Sequence, residues 1–100
     1  MASFAFEVEL VEPNGRFVMV RALEPRHFKL APGARLHECE VTHVSQPPAR
    51  DARGEPRVDL FLFKLARPQE AKRFAVGQRV VLQADEWVNP VPSPNGPQEL

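Results

Sequence analysis

The sequence predicts an all-β domain, a small antiparallel barrel of five to six strands with one short helical turn and a disordered Pro-rich C-terminal tail. Three observations carry this. Apolar residues alternate with period two in several short runs, Gly, Pro and Asn punctuate the gaps between those runs, and from Val88 onward prolines recur too densely for a helix or an interior strand. A chain of 100 residues makes one domain with a modest core. The barrel is assigned to 1–87 and the tail to 88–100.

Taken in order, the first element is a hairpin of strands 4–12 and 16–23. Asn14 and Gly15 both tolerate positive φ, as a type I′ turn requires. A loop of those two residues sets Glu12 opposite Phe17, Leu10 opposite Met19, Val8 opposite Arg21 and Phe6 opposite Leu23. That register gathers Phe6, Val8, Leu10, Phe17, Met19 and Leu23 on one face, with Glu7, Glu9 and Val11 on the other. The N-terminal strand is a candidate open edge. Glu24-Pro25-Arg26-His27 then breaks the pattern, 28–30 makes a short extended piece, and Pro32-Gly33 is a turn.

A strand is expected over 35–44, with Cys39 and Val41 inward and Glu38 and Glu40 outward. Residues 45–56 have no periodicity and read as a long exposed loop, of the kind that is often functional or mobile. The run 57–65 is the most apolar, and its centre, 60–63, suits a central strand covered on both sides. Residues 67–74 hold a helical turn or two, started near Pro68 and ended by Gly77. A last strand covers 79–84, and Trp87 is expected to fold back over a barrel end.

Charge narrows the function. Hydrophobic content of 43% with 26% charged residues is globular, and a formal net charge of zero lacks the cationic excess of a protein that grips many phosphates. No DNA partner is expected. Within 57–79, however, six basic residues meet two acidic ones. Lys64, Arg67, Lys72, Arg73 and Arg79 are therefore candidate RNA- or partner-binding residues, with Phe74 a candidate for stacking on a base. Cys39 is the only cysteine, so no intrachain disulfide forms. No apolar run approaches the length of a membrane span, and Met1-Ala2-Ser3 leads into a strand without a leader-like segment, so a cytoplasmic protein is expected. Ten arginines against three lysines point to a GC-rich bacterial source.

In this order the elements resemble the β-barrel domain II of translational GTPases. The resemblance lies in 8–11 turning into 15–21, in Phe28-Lys29-Leu30-Ala31-Pro32-Gly33-Ala34-Arg35-Leu36, in 39–44, and in 58–65 followed by 74–82. It implies a barrel that contacts RNA or a neighbouring domain. It does not bring GTP hydrolysis, because no G-x-x-x-x-G-K-[ST] phosphate loop is present.

Catalysis has little to stand on. In a regular strand His37, Cys39 and His43 share a face and offer zinc-ligand chemistry. At strand rise, His37 and Cys39 are about 6.5–7 Å apart and His43 lies roughly 13 Å further along, beyond the reach of one ion. His37 and Cys39 are thus the only metal candidates, and the expectation is a buried, structural Cys39 with no metal and no cofactor. Glu7 with Glu9 and Glu38 with Glu40 have the alternation of a solvated strand face rather than of an acid/base pair. The reading is a non-enzymatic adaptor acting through protein contacts, alternatively an RNA- or ribosome-associated barrel. Exposed loops and the Pro-rich tail are further means of docking; Pro94-Asn95-Gly96-Pro97 has the P-x-x-P spacing but no flanking basic residues, and a disordered terminus is the better reading of it.

Overall fold

The computed structural model describes residues 2–12, 14 and 16–86. Seven strands appear in chain order: β1 Ala2–Val11, β2 Phe17–Ala22, β3 Phe28–Lys29, β4 Arg35–Leu36, β5 Cys39–Ser45, β6 Leu60–Leu65 and β7 Arg79–Glu86. Every pairing is antiparallel, in the order β1-β2-β6-β5-β4-β7, and β1 pairs with β7 to close a six-stranded barrel. β3 is the additional strand, paired with the last two residues of β7. Among the described residues no helix is long and apolar enough to cross a membrane. The expectations for the Asn14-Gly15 turn, Trp87 and the 88–100 tail fall wholly or partly outside the described residues.

Burial follows the pleat. Phe4, Phe6 and Val8 of β1 point inward with Val18 and Val20 of β2, Phe63 and Leu65 of β6, and Val80, Leu82 and Ala84 of β7. Leu36, Cys39 and Val41 complete the wall, and Ala71 and Phe74 plug one end. The other end is aromatic. The Phe28 ring lies 5.1–5.8 Å from those of Phe4, Phe6, Phe61 and Phe63, within the range of favourable aromatic pairs.

The first hairpin keeps half of its expected register. Leu10 is opposite Met19, and the Glu12 N–H donates to the Phe17 carbonyl at 3.0 Å. A bulge between Val8 and Leu10 then shifts the pairing, so Val8 meets Val20 rather than Arg21, and Phe6 meets Ala22 rather than Leu23. One extra residue on β1 sets Glu9 and Leu10 together on the outside. Leu10 is accordingly 52% exposed and Val11 packs on the core, the reverse of the sequence expectation. Arg21 joins Glu7 and Glu9 outside, at 3.2 and 3.1 Å.

The expected strand 35–44 is two strands. His37 (φ 52°) and Glu38 (φ 65°) form a tight turn between β4 and β5, with Leu36 opposite Cys39. Two successive positive φ values are the signature of a type I′ hairpin, here without glycine or asparagine. Nor is β1 an open edge, since β2 and β7 flank it. β6 begins at Leu60 and lies between β2 and β5, and the expected cover on both faces is incomplete, since Leu62 on its outer side is only half-buried.

The helical segment is a 3-10 helix, Pro68–Arg73. It ends at Arg73, so Gly77 does not terminate it. Gly77 (φ 87°) instead serves a separate turn in which the Gln78 N–H donates to the Ala75 carbonyl at 3.0 Å. The long connection before β6 is exposed yet internally bonded: Asp51 Oδ1 accepts from the Arg53 and Glu55 N–H groups, and Arg50 pairs with Pro56.

Candidate functional site

The predicted basic residues do not form one cluster. Arg67, Lys72 and Arg73 sit around the 3-10 helix that caps one barrel end, and all three are exposed. Lys64 points outward from β6, opposite Phe17 and His43, while Arg79 points outward at the start of β7. Counting round the barrel, β6 and β7 are three strands apart in a ring of six, so these two cations face opposite directions. Arg67 is 3.9 Å from Glu70. Phe74 is 6% exposed, with its ring 5.4 Å from that of His37, so it has no open face for a base.

The turn at 37–38 also dissolves the shared face of His37, Cys39 and His43. His37 leaves the strand line and its Nε2 lies 3.3 Å from Gln78 Nε2. Cys39 is fully buried in the core, and burial pushes its thiol up from the ordinary range. His43 follows a second bulge and lies outside, against Thr42. Among the described residues no three His, Cys, Asp or Glu side chains stand close enough to hold a metal ion. Arg21 bridges Glu7 and Glu9, leaving one net negative charge on that face.

A different feature emerges where the barrel wall is incomplete. β3 and β4 pair with successive stretches of β7, Lys29 opposite Asp85 and Arg35 opposite Gln83, and the chain between them leaves the sheet at the turn of Pro32 and Gly33. Gly33 (φ 91°) supplies the positive φ there, with the Ala34 N–H donating to the Ala31 carbonyl. The excursion has a cost for β5. Its pairing with β4 covers Cys39 and Glu40, and the Val41 N–H still reaches the Ala34 carbonyl at 3.2 Å. Among the described residues, 42–45 then have no strand beside them on the side away from β6.

Three cavities follow this seam. One of about 320 Å³ lies between the 30–33 turn and 40–42 of β5. The next, about 290 Å³, lies between 26–28 and 44–46, with Phe61 in its lining. The third, about 440 Å³, shares Arg26, His27 and Phe61 with the second and opens between 22–27 and Val58 with Asp59. Phe28 and Phe61, both partly buried, make the apolar floor.

Both cations at the rim already have acidic partners. Arg26 lies 3.1 Å from Glu24 and 3.6 Å from Glu86, and stands 4.4 Å over the Phe4 ring. Arg57 donates twice to Asp59, at 3.1 Å, and that bond holds the Asp59 carboxyl below its usual range. An apolar floor inside a rim whose two guanidinium groups are paired, and which carries one carboxylate in excess, favours apolar groups and disfavours anionic ones.

Comparison with protein families, with curated proteins and with solved structures returned no match. The seam was not anticipated from the sequence. Its one signal is the Glu24-Pro25-Arg26-His27 break followed by an extended piece too short to fill a sheet position before Pro32-Gly33 interrupts it again.

Proposed function

We propose that this chain is a non-enzymatic binding domain, cytoplasmic in setting, that takes an extended segment of a partner protein along the seam between β3 and β5. The observation carrying this reading is the bare side of β5 at 42–45, beside an aromatic floor. An unpaired strand edge offers backbone N–H and C=O groups in register, and a segment added there gains main-chain hydrogen bonds while alternate side chains enter the cavities. The aromatic floor selects for apolar side chains at those alternate positions, and the excess carboxylate at the rim disfavours acidic ones.

A displayed library of random peptides selected against the full chain tests the idea, with hydrogen exchange as the readout. Selected peptides are expected to slow exchange at 42–45. Slowing confined to the 3-10 helix or to the outer face of β1 and β2 sinks the reading, and so does the absence of any ligand.

A second reading, RNA contact by a barrel that resembles domain II of translational GTPases, is favoured by the exposed cations Arg67, Lys72 and Arg73 around one barrel end. Its test is single-stranded RNA binding across a salt series. Affinity that falls with salt, and that Glu at all three positions abolishes, supports it; salt-insensitive binding overturns it.

A further inference from the structure

We propose that the outer face of β1, β2 and β6 is a self-association surface, on which a second copy of this chain packs about a two-fold axis. The face is a consequence of the bulge in β1. Leu10 lies opposite Met19 and Met19 lies opposite Leu62, so one row of apolar side chains crosses three strands. Phe17, two residues before Met19 on β2, adds a fourth. All four point away from the core, since their neighbours Val11, Val18, Val20 and Phe63 are the ones packed inside. Leu10 is exposed and the other three are half-buried. A contiguous apolar patch inside a polar rim is the mark of an interaction site.

The rim decides the partner. On the β1 side it is acidic: Glu12 is bonded through its backbone to Phe17, and Glu7 and Glu9 flank Arg21. On the β6 side it carries Lys64, opposite Phe17 and His43. The patch therefore runs from acid to base across β2. A two-fold axis along β2 lays β1 of each copy over β6 of the other. Glu12 then meets Lys64, Leu10 meets Leu62, and Phe17 and Met19 meet their own counterparts, which is the self-complementarity that an isologous contact needs. One unfavourable term remains, because each Arg21 triad keeps one negative charge; both are half-exposed, so water and salt screen them. A formal net charge of zero adds no general repulsion between copies. Four side chains with a charged rim make a small patch, so the pairing belongs with transient contacts that bury less than about 1,200 Å² in total.

Sedimentation velocity of the full chain over a concentration series is the test, and the expected mass rises from one chain to two and stops there. Leu10→Glu, at an exposed position where the barrel tolerates it, should weaken the pairing about tenfold or more by setting a carboxylate against the apolar row. Glu12→Lys and Lys64→Glu should each weaken it severalfold, and the two together should restore it, since β2 separates their strands within one chain. A short bis-maleimide should link Met19→Cys chains into dimers and leave Val81→Cys, on the outer face of β7, as single chains; Cys39 is fully buried and stays silent.

A mass of one chain at every concentration overturns the proposal, as does a dimer that Leu10→Glu leaves as tight as before. Failure of the double charge reversal to restore the pairing overturns it by removing the contact between Glu12 and Lys64. Crosslinking of Val81→Cys in preference to Met19→Cys moves the contact to another wall and overturns it too, and a mass that grows past two chains excludes the closed two-fold.

Discussion

Replacing Glu38 by glycine should make the protein more stable, although Glu38 is an exposed acid on a surface turn. Its φ of 65° puts the Cβ against the following carbonyl, a cost of roughly 1–2 kcal/mol for a residue other than glycine. Glycine removes that clash and gives back about 0.5–1 kcal/mol through the added freedom of the unfolded chain. The net gain is about 0.5–1 kcal/mol, or roughly 2–8 °C in Tm for a domain of this size. The Glu38 carbonyl, which accepts from Arg35 Nη1 at 3.4 Å, is backbone and survives the change. Thermal and urea unfolding of Glu38→Gly against Glu38→Ala provides the assay. Alanine keeps the Cβ and should bring no gain. A Glu38→Gly chain less stable than the parent, or an alanine variant that matches it, refutes the turn argument; the second outcome would assign the gain to lost charge.

Three further outcomes follow from the core and the outer wall. Phe63→Ala should cost about 3–5 kcal/mol in chemical denaturation, since the ring is fully buried against Phe6 and Phe28, and a loss below about 1.5 kcal/mol would contradict that packing. Cys39 should be inert to a thiol reagent in the folded chain and react on unfolding. Because burial raises its folded pKa, the stability it contributes is complete below the ordinary thiol value and is lost as pH rises through the folded one, so urea midpoints should fall in that alkaline window. Arg21→Ala, which strands Glu7 and Glu9 on a half-exposed face, should cost less than about 1 kcal/mol at moderate salt, and a larger loss would mean that solvent screens this triad poorly.

Strand positions were legible wherever alternation and burial agree, as in β1, β6 and β7; β2 was placed but its face was reversed, since Val18 and Val20 are buried where the expected register put Phe17 and Met19 beside Phe6 and Val8. They failed where one residue changes the count. Nothing about Glu9 marks it as an extra residue, because Leu10 is as apolar as Val8 and alternation continues through it; barrel closure and the Glu7 to Arg21 pairing decide the bulge. The turn at 37–38 was hidden for the opposite reason. It lacks the Gly or Asn that positive φ prefers, so the tertiary pairing of β4 with β7 overrides local preference there. Cys39 was read correctly as a core side chain because its neighbour two along, Val41, shares its face. The seam was illegible, since a missing strand neighbour is a property of topology and leaves no pattern in the residues that border it.

Closure itself has a kinetic consequence. Ala2 lies opposite Ala84, so the first strand and the last are zipped together across nearly the whole described chain. Bringing such distant segments together costs loop entropy before any contact rewards it, which places this topology among slow, millisecond-to-second folders. A ribosome releases β1 long before β7 exists. Until then Phe4 and Phe6 sit on a strand with one vacant flank, and the nascent chain is at its most adhesive. β7, the last strand among the described residues, is thus the latch: a truncation within it should yield an aggregating fragment rather than a slightly smaller barrel.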